Sequence, residues 1–171
     1  MHWSKYSDLQ KAEDRRECLN SCYRLTNFIY DGLDLQFEIN SVKSQNLGDT
    51  VLLWQNGNDL DDVEQRLIGF AVCHCGAGTE AGSGACYIKF GAVLPSDNTQ
   101  IYFDSLIHAC ETFARGQQMR RLIAGVNTAR HDAYQMMMSL GFRTEIQGVV
   151  MDNPNEFCYN KPDIYLIDDW R

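Results

Sequence analysis

No stretch of this 171-residue chain approaches the about 20 consecutive apolar side chains that a membrane-spanning helix requires. The opening MHWSKYSDLQKAEDRREC has no apolar centre of the kind a signal peptide carries, so a cytoplasmic protein without membrane partners is expected. Positive charge is also scarce. A formal net charge of −8 excludes the basic footprint of a general nucleic-acid binder. An anionic ligand would therefore need a local basic patch, for which Arg115, Arg120, Arg121 and Arg130 are the candidates. Metal-ligand spacing is missing as well. Cys73-His74-Cys75 lies near Cys86, but no second pair completes a tetrahedral set. On a strand, Cys73 and Cys75 share one face and His74 takes the other, which also separates any Cys–His nucleophilic pair. Cysteine is present in an odd number, seven, mostly within apolar patterns, as suits buried free thiols rather than a disulfide framework. Finally, the segment from Pro95 to Ile107 contains no glycine, although it follows an apolar run and leads into a helical pattern.

The length suits one domain, 1–171, with a helical N-terminal part over 1–48 and a sheet-and-helix core over 49–171. Apolar positions at Leu9, Ala12, Leu19, Cys22, Tyr23 and Phe28 predict a helix that Asp31-Gly32 ends. LDLQFEINSV alternates like a strand yet also carries a helical face at Leu35, Ile39 and Val42, and its Gln, Glu and Lys tilt it towards helix. TVLLWQ, RLIGFAVCHC and ACYIKFGAV read as three strands. The acidic stretch NGNDLDDVEQ, a solvated face, links the first two, and the glycine-rich turn GAGTEAGSG links the next, giving an antiparallel meander. Phe103, Leu106, Ile107, Cys110, Phe113 and Ala114 repeat at three and four and predict a strong helix. RLIAGV is a short buried strand. A second helix capped by Asn127 or Thr128 runs to Gly141, with Met136, Met137 and Met138 read as packing. RTEIQGVVM and DIYLIDDW close the chain as two strands. The fold class is α/β (α+β) around a mixed sheet.

Two readings meet in the glycine-free loop. Asp97 with Gln100 three residues later has the form of a capping box, which would seal the start of the helix with a negative side chain. A helix N-terminus is equally a ready anion site, because its first N–H groups point outward.

This order, with Val93-Leu94-Pro95 before the long helix and AYQMMMSLGF near the end, resembles the GNAT superfamily of acyl-CoA N-acyltransferases from about Thr50 to Trp170. The resemblance implies a GNAT-like fold and transfer of an acetyl group from acetyl-CoA, by direct attack, to an amine on a small molecule or peptide, without a metal. It implies that pantetheine lies along the backbone of Phe90, Gly91, Ala92 and Val93. The pyrophosphate would be held by Asn98, Thr99, Gln100, Ile101 and Tyr102, with help from Asn127 and Arg130. Tyr87, Tyr134 and His131 stand as acid–base candidates beside plainer readings as packing tyrosines and a surface histidine. Thr79 and Glu80 are outside candidates for the acceptor side. The departures are specific: Asn98 replaces an arginine or glutamine, Ile101 and Phe103 replace small residues, and Met137 stands where many members carry a tyrosine. No counterpart of the family's first strand is evident in MHWSKY, which leaves a strand edge open and favours a homodimer. A non-catalytic GNAT-like module is the alternative function.

Overall fold

The computed structural model describes residues 1–56, 66–149, 161 and 163–168. Three strands buried along nearly their whole length form its centre, because both faces of the sheet are covered: β2 (Gly48–Gln55), β3 (Arg66–Cys75) and β4 (Ala85–Val93), each antiparallel to the last. Ahead of them lies β1 (His2–Lys5), which pairs antiparallel with β2 from His2↔Trp54 to Lys5↔Val51. The N-terminal strand not expected in MHWSKY is thus present, and it covers the β2 edge that dimerisation was expected to use. Four residues with only partial burial carry too little periodicity to announce a strand. The pairing itself, with the Trp54 indole N–H donating to Ser4 Oγ at 2.9 Å, supplies the order.

Two helices, α1 (Ala12–Ile29) and α2 (Gln36–Ser44), cover one face of the sheet. The buried stripe of α1 is Cys18, Cys22, Leu25 and Ile29, whereas Phe28 is 67% exposed, so the stripe is rotated from the one expected. The ambiguous LDLQFEINSV is helical from Gln36 onward, as its polar residues suggest, and it buries Ile39 and Val42. The other face receives α3 (Thr99–Gly116), which buries every apolar position of its predicted repeat, and α4 (His131–Ser139). Gly141, at φ 94°, ends α4.

Where β2 begins, Gly48 passes so close to β3 that an added Cβ would lie 2.0 Å from the Cys73 carbonyl oxygen. Backbone cannot yield there as a flexible side chain can. Gly48→Ala is therefore expected to cost about 3 kcal/mol or more, read as a fall in the urea midpoint.

The remaining edge of β4 is divided. Its first half pairs in parallel with β5 (Arg121–Ala124), from Ala85↔Arg121 to Ile88↔Ala124. Its second half pairs antiparallel with β6 (Leu166–Asp168), at Phe90↔Asp168, Gly91↔Ile167 and Ala92↔Leu166. The change of partner falls at Lys89, which has no opposite number because Val72 faces Phe90 and Cys73 faces Ile88. Such a bulge bends a strand and strengthens its twist, which turns the second half of β4 away from β5. Residues 143–149, expected to begin a strand, carry no strand; the end of that segment, the LDDVE run and Cys158 lie outside the described residues.

Candidate functional site

β4 and β5 part after Ile88↔Ala124, and the expected residues 90–93 and 98–102 lie on the β4 arm of this wedge and in the loop that follows it. At its mouth the chain leaves Val93, passes Leu94 and Pro95, and enters α3. The predicted capping box does not form. Asp97 is exposed, and Asn98 occupies the cap position without a side-chain hydrogen bond. The loop is instead organised by Thr99. Its hydroxyl accepts from the Ser96 N–H at 2.6 Å and lies 2.6 Å from the Ser96 carbonyl oxygen, while the Asn98 N–H donates to Ser96 Oγ at 3.2 Å. This Ser–Thr turn starts the helix one residue later than a cap at Asp97 would, so the carboxylate falls outside it.

The consequence for the helix end is specific. The Thr99 N–H donates to the Ser96 carbonyl and the Tyr102 N–H to that of Asn98. Among the described residues no partner reaches the N–H groups of Gln100 and Ile101. Two outward amides at the positive end of an 18-residue helix suit a phosphate oxygen. The bulky residues do not fill the loop either. Ile101 is 55% exposed, and Phe103 turns inward to pack on the Tyr165 ring at 5.2 Å. Tyr102 points away from the mouth, its hydroxyl donating to Gln55 Oε1 at 3.2 Å. It therefore does not serve the loop as expected.

Inside the wedge the backbone edge of Phe90, Gly91 and Ala92 is already engaged by β6. An added Cβ at Gly91 would sit 3.6 Å from that of Ile167, an ordinary contact, so the pairing with β6 does not depend on the glycine. The Asp168 N–H donates to the Gly125 carbonyl at 3.2 Å, so β6 touches both arms of the wedge. Side chains alternate across it, with Tyr165 and Ile167 in the core under α3 and Ile164 and Leu166 in the core under α1.

Arg130 fastens this strand. Its side chain is fully buried and its guanidinium grips Asp168 with both arms, at 2.7 Å to Oδ1 and 2.9 Å to Oδ2, while also donating to the Leu166 carbonyl at 3.3 Å. Burial alone would lower its pKa, but the hydrogen bond and charge of Asp168, with Tyr30, outweigh that and hold it above the ordinary value. Arg130 is thus committed to Asp168 rather than available to a cofactor. The other expected basic residues lie at the opposite end of α3 and the start of β5, where Arg115 pairs with Glu111 and Arg121 with Glu145. They form no patch at the mouth. Asn127 holds the turn before α4, its Oδ1 accepting from the Ala129 N–H at 2.9 Å.

On the α1/α2 face, Tyr87 is buried beside His74, the rings meeting edge to face at 6.4 Å. Cys73 packs on the opposite side and Cys75 against the same core, as strand alternation requires. His74 is 3% exposed, and its Nε2 lies 3.7 Å from Glu38 Oε1, beyond hydrogen-bond range. Burial pushes its pKa below the ordinary 6.5; Glu80 and Glu38 oppose this, and Lys89, ion-paired with Glu80, adds to it. The unfolded chain then binds a proton at His74 that the folded chain resists. Stability is full above the unfolded value and falls as pH drops from about 6.5 towards the folded pKa. His74→Gln is expected to flatten that slope in a pH series of urea midpoints. Tyr134 is half-buried on α4 and His131 is exposed at its start, so neither adjoins His74 in the sheet. The thiols of Cys73, Cys75 and Cys86 are all pushed up by neighbouring thiols and burial, which makes them poor nucleophiles. Among the described residues no three His, Cys, Asp or Glu side chains are grouped to hold a metal, and no helix is long and apolar enough to cross a membrane.

No family model and no curated protein matches the sequence. Solved structures do match the fold. An acetyltransferase of Trypanosoma brucei aligns over 88% of this chain and 98% of its own, with 16% identity and a TM-score of 0.60. An aminoglycoside N-acetyltransferase in complex with CoA aligns over 88% and 98%, with 14% identity and a TM-score of 0.59. The ribosomal-protein-alanine N-acetyltransferase of Brucella melitensis aligns over 89% and 99%, with 12% identity and a TM-score of 0.56. The fold is therefore that of the N-acetyltransferases, as the sequence resemblance implied.

Proposed function

We propose that this protein is a cytoplasmic acyl-CoA-dependent N-acyltransferase whose own strand β6 must leave the wedge before the acyl donor can enter. The observation that carries the reading is the mouth of the wedge, where the N–H groups of Gln100 and Ile101 have no partner among the described residues at the start of α3. The structure fits one part of acetyl-CoA and not another. The diphosphate suits these amides, with the Asn98–Thr99 turn beside them, while the pantetheine arm has no room along Phe90–Ala92 as long as β6 is paired there. When bound, acetyl-CoA would supply the activated acetyl group for an amine, on a small molecule or a peptide. On the α1/α2 face the chain offers the Tyr87 hydroxyl as a candidate for proton transfer, whereas both ring nitrogens of the neighbouring His74 are enclosed and burial disfavours its protonation. Tyr134 and His131, on α4, are secondary candidates for proton transfer.

A second reading is favoured by the same β6 pairing. If the strand never leaves, the wedge is a finished part of the sheet and the protein is a non-catalytic interaction module. Thermal denaturation with millimolar acetyl-CoA separates the two. A donor that binds the folded state raises Tm, by about 5 to 10 °C at a hundredfold excess over its dissociation constant. An unmoved Tm, both in the wild type and in a variant with β6 loosened, contradicts the enzyme reading.

A further inference from the structure

At the other end of the sheet, where β2 begins and β3 ends, a cavity of about 350 Å³ opens under the last turn of α3. Its walls include Ser7, Lys43, Asp49, Cys75, Gln117 and Met119, none of which belongs to β4 or to the start of α3. The volume lies within the range of small-molecule sites.

Two residues of opposite charge are among its walls, and they form no ion pair with each other. Asp49 is 7% exposed, and its Oδ1 accepts the N–H groups of Ser7 at 3.2 Å and Thr50 at 2.8 Å. Among the described residues no hydrogen bond reaches its Oδ2. Lys43 extends from the last turn of α2, and its Nζ is shielded from solvent with no hydrogen-bond acceptor among the described residues. The ammonium rests 5.0 Å over the Tyr6 ring, a contact that holds it in place without using its donors. Arg15 repels it and Asp49 attracts it, with burial the larger influence, so its pKa lies below the ordinary lysine value. An ammonium enclosed in this way, with no acceptor, is destabilising, and an apolar side chain of similar length would serve packing better. Its presence is explained by something that brings an anion to it.

We propose that this cavity binds a small zwitterion, an amino acid or close analogue, whose ammonium meets Asp49 Oδ2 and whose carboxylate draws Lys43 Nζ from its place over the Tyr6 ring into the cavity. One ligand then completes both half-made sites, and the single charges cancel inside the cavity. The chemistry is independent of acyl-CoA and of the β4 wedge.

Thermal denaturation of the full chain with glycine or L-glutamine, beside acetate and methylammonium at equal concentration, tests this. The amino acids are expected to raise Tm and the two half-ligands to leave it near its starting value. Lys43→Met should raise the ligand-free Tm, because an unpaired charge is removed, and abolish the amino-acid response. Asp49→Asn, which can still accept the Ser7 and Thr50 N–H groups, should abolish the response with a native fold. No response of the wild type to either amino acid overturns the proposal, as does a response that survives in Lys43→Met or one that acetate alone reproduces. Should Asp49→Asn fail to fold, the wild-type and Lys43→Met titrations decide by themselves.

Discussion

Asp168→Asn should lower the stability of the folded chain by about 3 kcal/mol, a fall in Tm of about 6 to 12 °C for a protein of this size. The size follows from the burial of its partner. Arg130 is fully buried and cannot reach water when its counter-ion is lost, and its guanidinium keeps its charge at any ordinary pH. Removing one member of a buried pair leaves an uncompensated charge, whereas replacing both with apolar residues restores packing. Arg130→Met with Asp168→Leu should therefore recover most of the loss, and the double-mutant cycle should show strong coupling. Urea midpoints of the four proteins give the answer. An Asp168→Asn variant within about 1 kcal/mol of wild type would mean that the fork is a surface pair of ordinary worth.

The same substitution should act in the opposite direction on the acyl donor. If acetyl-CoA binds only the population in which β6 has left Phe90–Ala92, its apparent dissociation constant is the intrinsic one divided by that population. Weakening the fastening of β6 by about 3 kcal/mol raises that population, and tightens apparent binding, by up to about a hundredfold. Calorimetric titration of wild type and Asp168→Asn measures this directly. Loss of stability with gain of affinity is what strand occupancy predicts; a purely structural role for Arg130 and Asp168 predicts loss of both. Equal or weaker affinity in the variant would count against displacement.

Much of the fold was legible before the structure. The meander, α3 and the stop at Gly141 each rest on a periodicity or backbone requirement that local sequence states directly. The parts that were not legible depend on distant partners. His2–Lys5 is a strand because β2 offers it an edge, not because four residues demand it. Leu166–Asp168 reads as a closing strand, but nothing local says that it joins β4 beside Gly91. Arg130 looked available to an anion because a sequence shows charge without its counter-ion, and Asp168 lies 38 positions away. At the loop, Asp97 and Gln100 have capping-box spacing, yet Thr99 won the local competition through its turn with Ser96. In the sequence His74 reads, with its cysteine neighbours, as an incomplete metal motif. Its enclosure beside Tyr87 and Glu38 comes from α2 and β4, which only the fold brings together.

Residue-level hydrogen exchange across an acetyl-CoA titration of the wild-type chain tests displacement of β6 most directly. The account predicts that the amides of Leu166, Ile167 and Asp168 lose protection as acetyl-CoA saturates, while those of Gln100 and Ile101 gain it. Saturable binding with β6 still fully protected, or no binding by either the wild type or Asp168→Asn, would contradict it.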